Sequence, residues 1–271
     1  MNADFLEAMA DSSRRRVASA RDRVHDDVLH ARARRMPPAP ALALHRRFDV
    51  FAEVKLRSPA SGTEPAPIDD LRGRVAAYAA GGAAAVSVLT EPSRFDGSIF
   101  HLVTAVRALD AAGIPAMRKD FLVDPYQLAE ARIAGAGGAL LILRLLGRAE
   151  AEALVVTARS LGLFVLLEAF DEADLRTARA MVRTLGPEGV LVGVNCRDLA
   201  TLQVVPGRLL ELAAHLPDSV PCVAESGLHT PEDVAAVAKA GYRIALVGSA
   251  LMKRADPESL VNAMLQAGRT A

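Results

Sequence analysis

Residues 51–62, FAEVKLRSPASG, begin as a strand and end as a polar turn. Val50, Phe51, Ala52 and Val54 form an apolar run suited to burial. Glu53 and Lys55 interrupt it two residues apart, which puts both charges on one face of a strand. Ser58-Pro59 follows, and the proline stops the strand because it lacks a ladder donor. A carboxylate, an ammonium and a hydroxyl therefore gather at one strand's C-terminal end, where parallel barrels and doubly wound sheets bind their ligands. The competing reading is an intra-strand ion pair at a sheet rim.

Outward from this stretch the pattern repeats. Apolar runs recur near residues 50–54, 84–89, 114–117, 139–143, 163–167, 189–194, 221–224 and 244–247. The stretches between them, such as DLRGRVAAYAAGG and DPYQLAEARIAGAGG, have helical periodicity and glycines where a helix must stop. Eight βα units predict a parallel sheet closed into a (β/α)8 TIM barrel, with an open doubly wound sheet as the alternative. No Gly-x-Gly-x-x-Gly follows the first run, which disfavours the dinucleotide-binding form of that alternative. Before the barrel, residues 4–35 read as helix: Phe5, Leu6, Met9, Val17, Val24, Val28 and Leu29 recur at roughly helical spacing, and Pro37-Pro38 ends the pattern. The expected organisation is a helical extension over 1–48 packed on a catalytic barrel over 49–271, one domain overall.

A chain of 271 residues suits one such barrel. Hydrophobic residues make up 51% and aromatics 4%, so Ala, Val, Leu and Ile must build the core, as in helices packed on buried parallel strands. Acidic and basic residues balance at 32 each, which gives no overall field to hold nucleic acid or an anionic membrane. Arg14-Arg15-Arg16 and Arg34-Arg35 are interspersed with Asp22, Asp26 and Asp27 and read as a solvated helix face. Cys196 and Cys222 each sit in an apolar strand-like run, which fits a reducing cytoplasm better than a disulfide framework. The first residues lack the apolar stretch of an export signal, and no run of about 18 apolar residues appears.

The strand ends carry a ring of polar groups: Glu53 and Lys55; Thr90-Glu91; Arg118-Lys119-Asp120; Arg144; Glu168; Asn195 and Arg197; Glu225-Ser226-Gly227; Gly248-Ser249. Glu168 directly after FVLL and Lys119 just past IPAM would be costly to bring so near an apolar interior without partners, so mutual pairing around one pocket is expected. ESGL and VGSAL, after the last two runs, have the glycines and serines of the phosphate cup such barrels build there.

Seven stretches, AEVKLRSPASG, SVLTEPSRFDGS, MRKDFLVDPYQLAEARIAGA, LLEAF, GVNCRDL, AESGLHTPEDV and ALVGSALM, closely resemble the indole-3-glycerol-phosphate synthase family, in the same order and from about Phe51 to Met252. The resemblance implies a soluble cytoplasmic lyase of tryptophan biosynthesis that acts on a small phosphorylated substrate with no metal and no organic cofactor, and with neither nucleic acid nor membrane as partner. It implies Lys119 as general acid for ring closure and Glu168 as the carboxylate that stabilises the cationic intermediate. Glu53 and Lys55 match the pair assigned to dehydration, and Asn195 and Arg197 the polar groups near the anthranilate end. Ser226, Gly227, Gly248 and Ser249, with Glu225 and Ser58 beside them, match substrate- and phosphate-binding positions; Phe121, Pro59 and Leu199 match apolar walls around the aryl ring.

Leu56 and Ser58-Pro59-Ala60 depart from the family pattern, which places another hydroxyl near the phosphate. Gly82-Ala-Ala-Ala and Gly135-Ala-Gly-Gly lack the aspartates common before strands two and four, a change at the rim remote from chemistry. The segment before Phe51 matches poorly. A paralogue acting on a modified anthranilate stays open beside the ordinary substrate. A phosphoribosyl-ligand isomerase or a binding-only barrel would share the phosphate cup but has no use for Lys55, Lys119 and Glu168 together.

Overall fold

The computed structural model describes residues 3–56, 70–198, 201 and 203–271; Ser58, Pro59 and Leu199 lie outside the described residues. The eight strands are β1 (Asp49–Val54), β2 (Ala85–Leu89), β3 (Ala116–Lys119), β4 (Gly138–Ile142), β5 (Phe164–Ala169), β6 (Val190–Asn195), β7 (Cys222–Glu225) and β8 (Ile244–Val247). Each pairs in parallel with the next, and β8 returns to pair with β1 at Asp49↔Ile244 through Ala52↔Val247, so the sheet closes into a (β/α)8 TIM barrel. That closure rules out the open sheet.

Strands covered on both faces must be apolar on both, and the two faces here form separate clusters. Facing the helices are Val50, Ala52, Val86, Val88, Leu141, Val165, Val192 and Val247. Filling the barrel are Phe51, Ala85, Met117, Leu140, Phe164, Leu166, Leu191, Val223, Ile244 and Leu246. Because side chains alternate along a strand, the residue two beyond each interior apolar group also points inward. Phe51 leads to Glu53, Met117 to Lys119, Leu166 to Glu168 and Val223 to Glu225. The pleat that builds the apolar plug thus delivers four ionisable groups to its upper rim.

Two strand boundaries differ from the sequence reading in a way that matters. The third apolar run begins at Ile114, but β3 starts after Pro115, which has no amide hydrogen for the ladder, and continues through Arg118 and Lys119. β5 likewise runs past FVLL to take in Glu168. Both charged residues sit inside strands because each finds charged partners there.

The single helix expected over 4–35 is two helices, α1 (Ala3–Arg21) and α2 (Asp26–Arg34). The break is held open by side chains: Arg21 bridges Asp26 and Asp124, and the Tyr126 hydroxyl lies 3.1 Å from the Ala20 carbonyl and 3.0 Å from that of Val24. Met9, Ala10, Ser13, Val17 and Ala20 give α1 one buried face, while Val28 of the expected apolar stripe is exposed. The arginine run also divides. Arg14 pairs with Asp11 on the surface, as a solvated face implies, but Arg16 turns inward onto Asp120. Leu42 and Leu44 pack under the barrel interior, so the extension covers both ends of the plug. No described helix is long and apolar enough to cross a membrane.

Near the base of the plug, Gly138 lies opposite Phe164, and a Cβ on it would come within 2.3 Å of the ring. Gly138→Ala is therefore expected to destabilise by about 1–3 kcal/mol, the usual cost of overpacking, visible as a lower urea midpoint at unchanged slope. Adding Phe164→Leu should recover part of the loss; equal midpoints for the wild type and Gly138→Ala would show that the ring moves aside freely.

Candidate active site

At the C-terminal mouth one cavity is lined by Glu53, Lys55, Lys119, Phe121, Glu168, Asn195, Arg197, Glu225, Ser226, Gly227, Gly248 and Ser249. Every described residue that the sequence reading assigned to a site is among them. The structure leaves out four other groups of the strand-end ring. Thr90 donates to Asp120 on the outer side of the sheet, and Glu91 caps the helix Pro92–Phe95 by accepting from the amides of Ser93 and Arg94. Arg118 faces away from the cavity, bonded to Thr90, Asp120, Glu130 and the Gln127 carbonyl. Arg144 lies over the Phe170 ring and pairs with Asp171 and Asp174.

Lys119 is the hub. Its Nζ lies 3.1 Å from Glu168 Oε1 and 3.3 Å from Glu225 Oε2. Burial works against its charge, but Glu168, Glu225 and Glu53 outweigh it, and the ammonium is held well above the ordinary lysine range. Arg118, whose sequence adjacency argues for the opposite shift, is on the far side of the strand. Asn195 completes the arrangement: its Nδ2 donates to Glu168 Oε1 at 2.8 Å, and its Oδ1 accepts from the Arg197 amide at 2.8 Å.

Glu53 and Lys55 form a second pair, Nζ to Oε1 3.1 Å. Burial raises the Glu53 carboxyl, but Lys55, Lys119 and Arg197 hold it below the usual carboxylate range overall. Glu225 behaves oppositely. Burial and the neighbouring Glu168 push it up to about 8 against the pull of Lys119. Its Oε1 meets no hydrogen-bond donor among the described residues.

Two glycines make room for these carboxylates. A Cβ on Gly193 would sit 2.0 Å from Glu225 Oε1, and one on Gly248 would sit 2.6 Å from Glu53 Oε1. Ser226 and Gly227 take consecutive positive-φ conformations, 69° and 71°, which turn the chain sharply at the mouth of the cavity. The Cys196 thiol donates to the Ser226 carbonyl at 3.1 Å and braces that turn.

The sequence reading missed the rest of the apolar wall. Phe5 meets Phe121 edge-on with centroids 6.0 Å apart, and Phe95 lies 6.3 Å from the same ring. Leu89, Leu140, Ile142 and Leu246 add aliphatic surface, and His229 stands at the rim. Pleat parity beyond Ala85 and Ile244 would have found Leu89 and Leu246, but no local signal connects Phe5 to a strand end over a hundred residues away.

A family model described as indole-3-glycerol phosphate synthase matches residues 6–264. A protein of that name from Nocardioides is 48% identical over 79% of this chain and 79% of its own length. Others from Parafrankia and Streptomyces coelicolor are 41% and 39% identical, covering 99% and 97% of this chain and 97% and 95% of theirs. Among solved structures, 3-hexulose-6-phosphate synthase from Salmonella typhimurium aligns with a TM-score of 0.60 at 13% identity, covering 81% of this chain and 98% of that one. Thiamine phosphate pyrophosphorylase from Pyrococcus furiosus aligns at 0.59 and 14%, covering 82% and 96%. These two likenesses speak for the barrel alone.

The Glu225 shift has a consequence for stability. In the unfolded chain a glutamate titrates near 4.3, whereas in the fold this carboxyl keeps its proton up to about 8. Its contribution is complete below the lower value and is lost as pH rises through the higher one. The stability of the wild type relative to Glu225→Gln should therefore fall between about pH 4.5 and 8; parallel stability curves would place Glu225 in the ordinary range.

Proposed function

The chain belongs to the indole-3-glycerol phosphate synthase family, carboxy-lyases of tryptophan biosynthesis, and we propose that the charged cavity at its barrel mouth is where this chemistry occurs, in the cytoplasm, on 1-(2-carboxyphenylamino)-1-deoxyribulose 5-phosphate. The observation that carries the reading is the buried Lys119 ammonium between Glu168 and Glu225, with the Glu53–Lys55 pair in the same cavity. The extension 1–48 and the barrel 49–271 are taken as one working unit.

In this reading the substrate phosphate lies against the amides of Ser226-Gly227 and Gly248-Ser249. The aryl ring lies against Phe121, with Phe5, Phe95 and Ile142 as further walls, and Arg197 receives the carboxylate as a two-donor fork. Ring closure forms a bond between the carboxylate-bearing ring carbon and the ribulose carbonyl carbon. The carbonyl oxygen becomes a hydroxyl by taking a proton from Lys119. A lysine held above its ordinary range is a weak acid toward water, but the developing alkoxide is a strong base, and a fixed ammonium stabilises it before and during transfer.

The ring nitrogen carries positive charge after closure, and Glu168 stabilises that cation. Breaking the carbon–carboxylate bond then restores aromaticity and releases carbon dioxide. The new hydroxyl leaves as water with a proton from Lys55, while Glu53, whose low acidity range keeps it a carboxylate, takes the proton from the adjacent carbon. Asn195 holds Glu168 in place, and Glu225 shares the Lys119 ammonium.

Mixing the purified protein with this substrate should produce indole fluorescence; none at any substrate concentration would reject the reading. Lys119→Met should lower kcat by roughly 100- to 10,000-fold while KM changes far less, because the phosphate and carboxylate contacts remain. Near-normal turnover with poor binding would demote Lys119 to an anchor and move the acid to Lys55. Arg197→Lys should act mainly by raising KM, and unchanged kinetics there would remove Arg197 from carboxylate recognition.

A further inference from the structure

One face of α1 carries more polar chemistry than packing requires. Ser13, Arg16, Ala20 and Arg21 recur at i, i+3, i+7 and i+8 and so share a face, and all meet the connection from β3 into the helix Pro125–Ile133. The Ser13 hydroxyl donates to the Phe121 carbonyl. Arg16 straddles the Asp120 carboxylate, with NH1 to Oδ2 at 3.0 Å and NH2 to Oδ1 at 2.8 Å, and NH2 also reaches Ser13 Oγ at 2.7 Å. Arg21 NH2 lies 2.8 Å from Asp124 Oδ1, and the Tyr126 hydroxyl approaches the Ala20 carbonyl.

Asp120 is the centre of this grip. Its side chain has no solvent exposure, against 27% for that of Arg16. Beyond Arg16 it accepts from the Thr90 hydroxyl at 2.7 Å, the Phe121 amide at 2.8 Å and Arg118 NH2 at 3.3 Å. It stands between Lys119 and Phe121 in sequence, and its carboxylate bonds to Arg16, Thr90 and Arg118 and to none of the groups that hold the ammonium. Fixing its carboxylate fixes the peptide units from which the Lys119 side chain and the Phe121 ring both project.

We propose that Arg16, acting through Asp120, is a positioning residue for the chemistry at Lys119, so that α1 sets the aim of the ammonium from outside the barrel. This rests on the reading of Lys119 as the acid for ring closure. A mere fastener has no need of these groups. Apolar side chains of similar size hold two elements together as well as a buried ion pair or better, because a pair must first be desolvated. A guanidinium and a carboxylate joined by two bonds fix direction as well as distance, and a donor aimed at a forming alkoxide tolerates little error. Burial resists both charges, yet the partners hold the Asp120 carboxyl below and the Arg16 guanidinium above their usual ranges.

The test compares the full-length wild type, Arg16→Met, Lys119→Met and the double variant, each assayed per folded molecule by indole fluorescence across substrate concentrations. Wild-type turnover and its collapse in Lys119→Met secure the underlying reading first; if either is missing, that reading fails on its own account. Given both, Arg16→Met should lower kcat by about 10- to 100-fold with KM changed less than about threefold. The double variant should be no slower than Lys119→Met alone, because in this proposal Arg16 acts on turnover through that lysine. Arg16→Lys should restore part of the rate, since it keeps the charge without the fork.

Three results would overturn the proposal: a normal kcat in Arg16→Met with only a lower melting temperature, a loss confined to KM, or losses that multiply in the double variant. If Arg16→Met does not fold, Arg16→Lys and Ser13→Ala carry the same comparison. Ser13→Ala cuts the tie to the Phe121 carbonyl while leaving the apolar face of α1 intact, and a kcat equal to wild type in both would reject the idea.

Discussion

A largely buried ammonium is the constraint on which the rest of this structure depends. Lys119 reaches the top of an apolar plug, and its charge survives there because Glu168 and Glu225 oxygens lie 3.1 and 3.3 Å away and Glu53 adds to the field. That pairing demands strands of the right length and parity on opposite sides of the barrel. β3 and β5 both extend past their apolar runs to supply it. With Glu225 keeping its proton up to about 8, Lys55, Lys119 and Arg197 stand in the cavity beside the Glu53 and Glu168 carboxylates. In a chain whose 32 basic and 32 acidic residues cancel, gathering three cations at one mouth suits a ligand with both a carboxylate and a phosphate.

The carboxylates in turn depend on what the backbone omits. Gly193 stands on the interior face of β6 between Glu168 of β5 and Val223 of β7, and the Glu225 carboxyl fills the space its missing side chain leaves. Gly248 does the same for Glu53 at the end of β8. The second of these glycines also belongs to the proposed phosphate cup, so in that reading one residue serves two requirements. An alanine there would displace the Glu53 carboxylate.

Much of this was legible in the sequence, and for a physical reason. Parallel strands buried on both faces read as apolar runs, and a charge within such a run is conspicuous, so Glu53, Lys55, Lys119 and Glu168 stood out. Strand order then placed them on one rim. What sequence could not supply was the direction of a charge at a strand end. Arg118, Lys119 and Asp120 are consecutive charges in the sequence, yet the pleat sends the Lys119 ammonium to the carboxylates of the cavity while Arg118 and Asp120 bond to each other and to Thr90. For the same reason Thr90, Glu91 and Arg144 belonged to the ring on paper and to capping and outer-face bonds in the fold. Arg16 was read as solvated from its basic neighbours, because its partner lies 104 residues away.

The two sides of β3 divide the work between charge and position. On the inner side Lys119 meets groups that govern its proton; on the outer side Asp120 meets Thr90, Arg118 and Arg16, which govern where its backbone lies. A strand one residue longer or shorter in register would exchange these sets, putting a carboxylate among carboxylates and an ammonium among guanidiniums. Both faces would then carry unpaired like charges. Charge complementarity on each side therefore locks the register of a strand only four residues long, which pairs with β4 at just Met117↔Gly138 and Arg118↔Ala139. The network outside the barrel and the ammonium inside it are two consequences of one register, which explains how a helix that precedes the barrel in sequence can govern the geometry at its mouth.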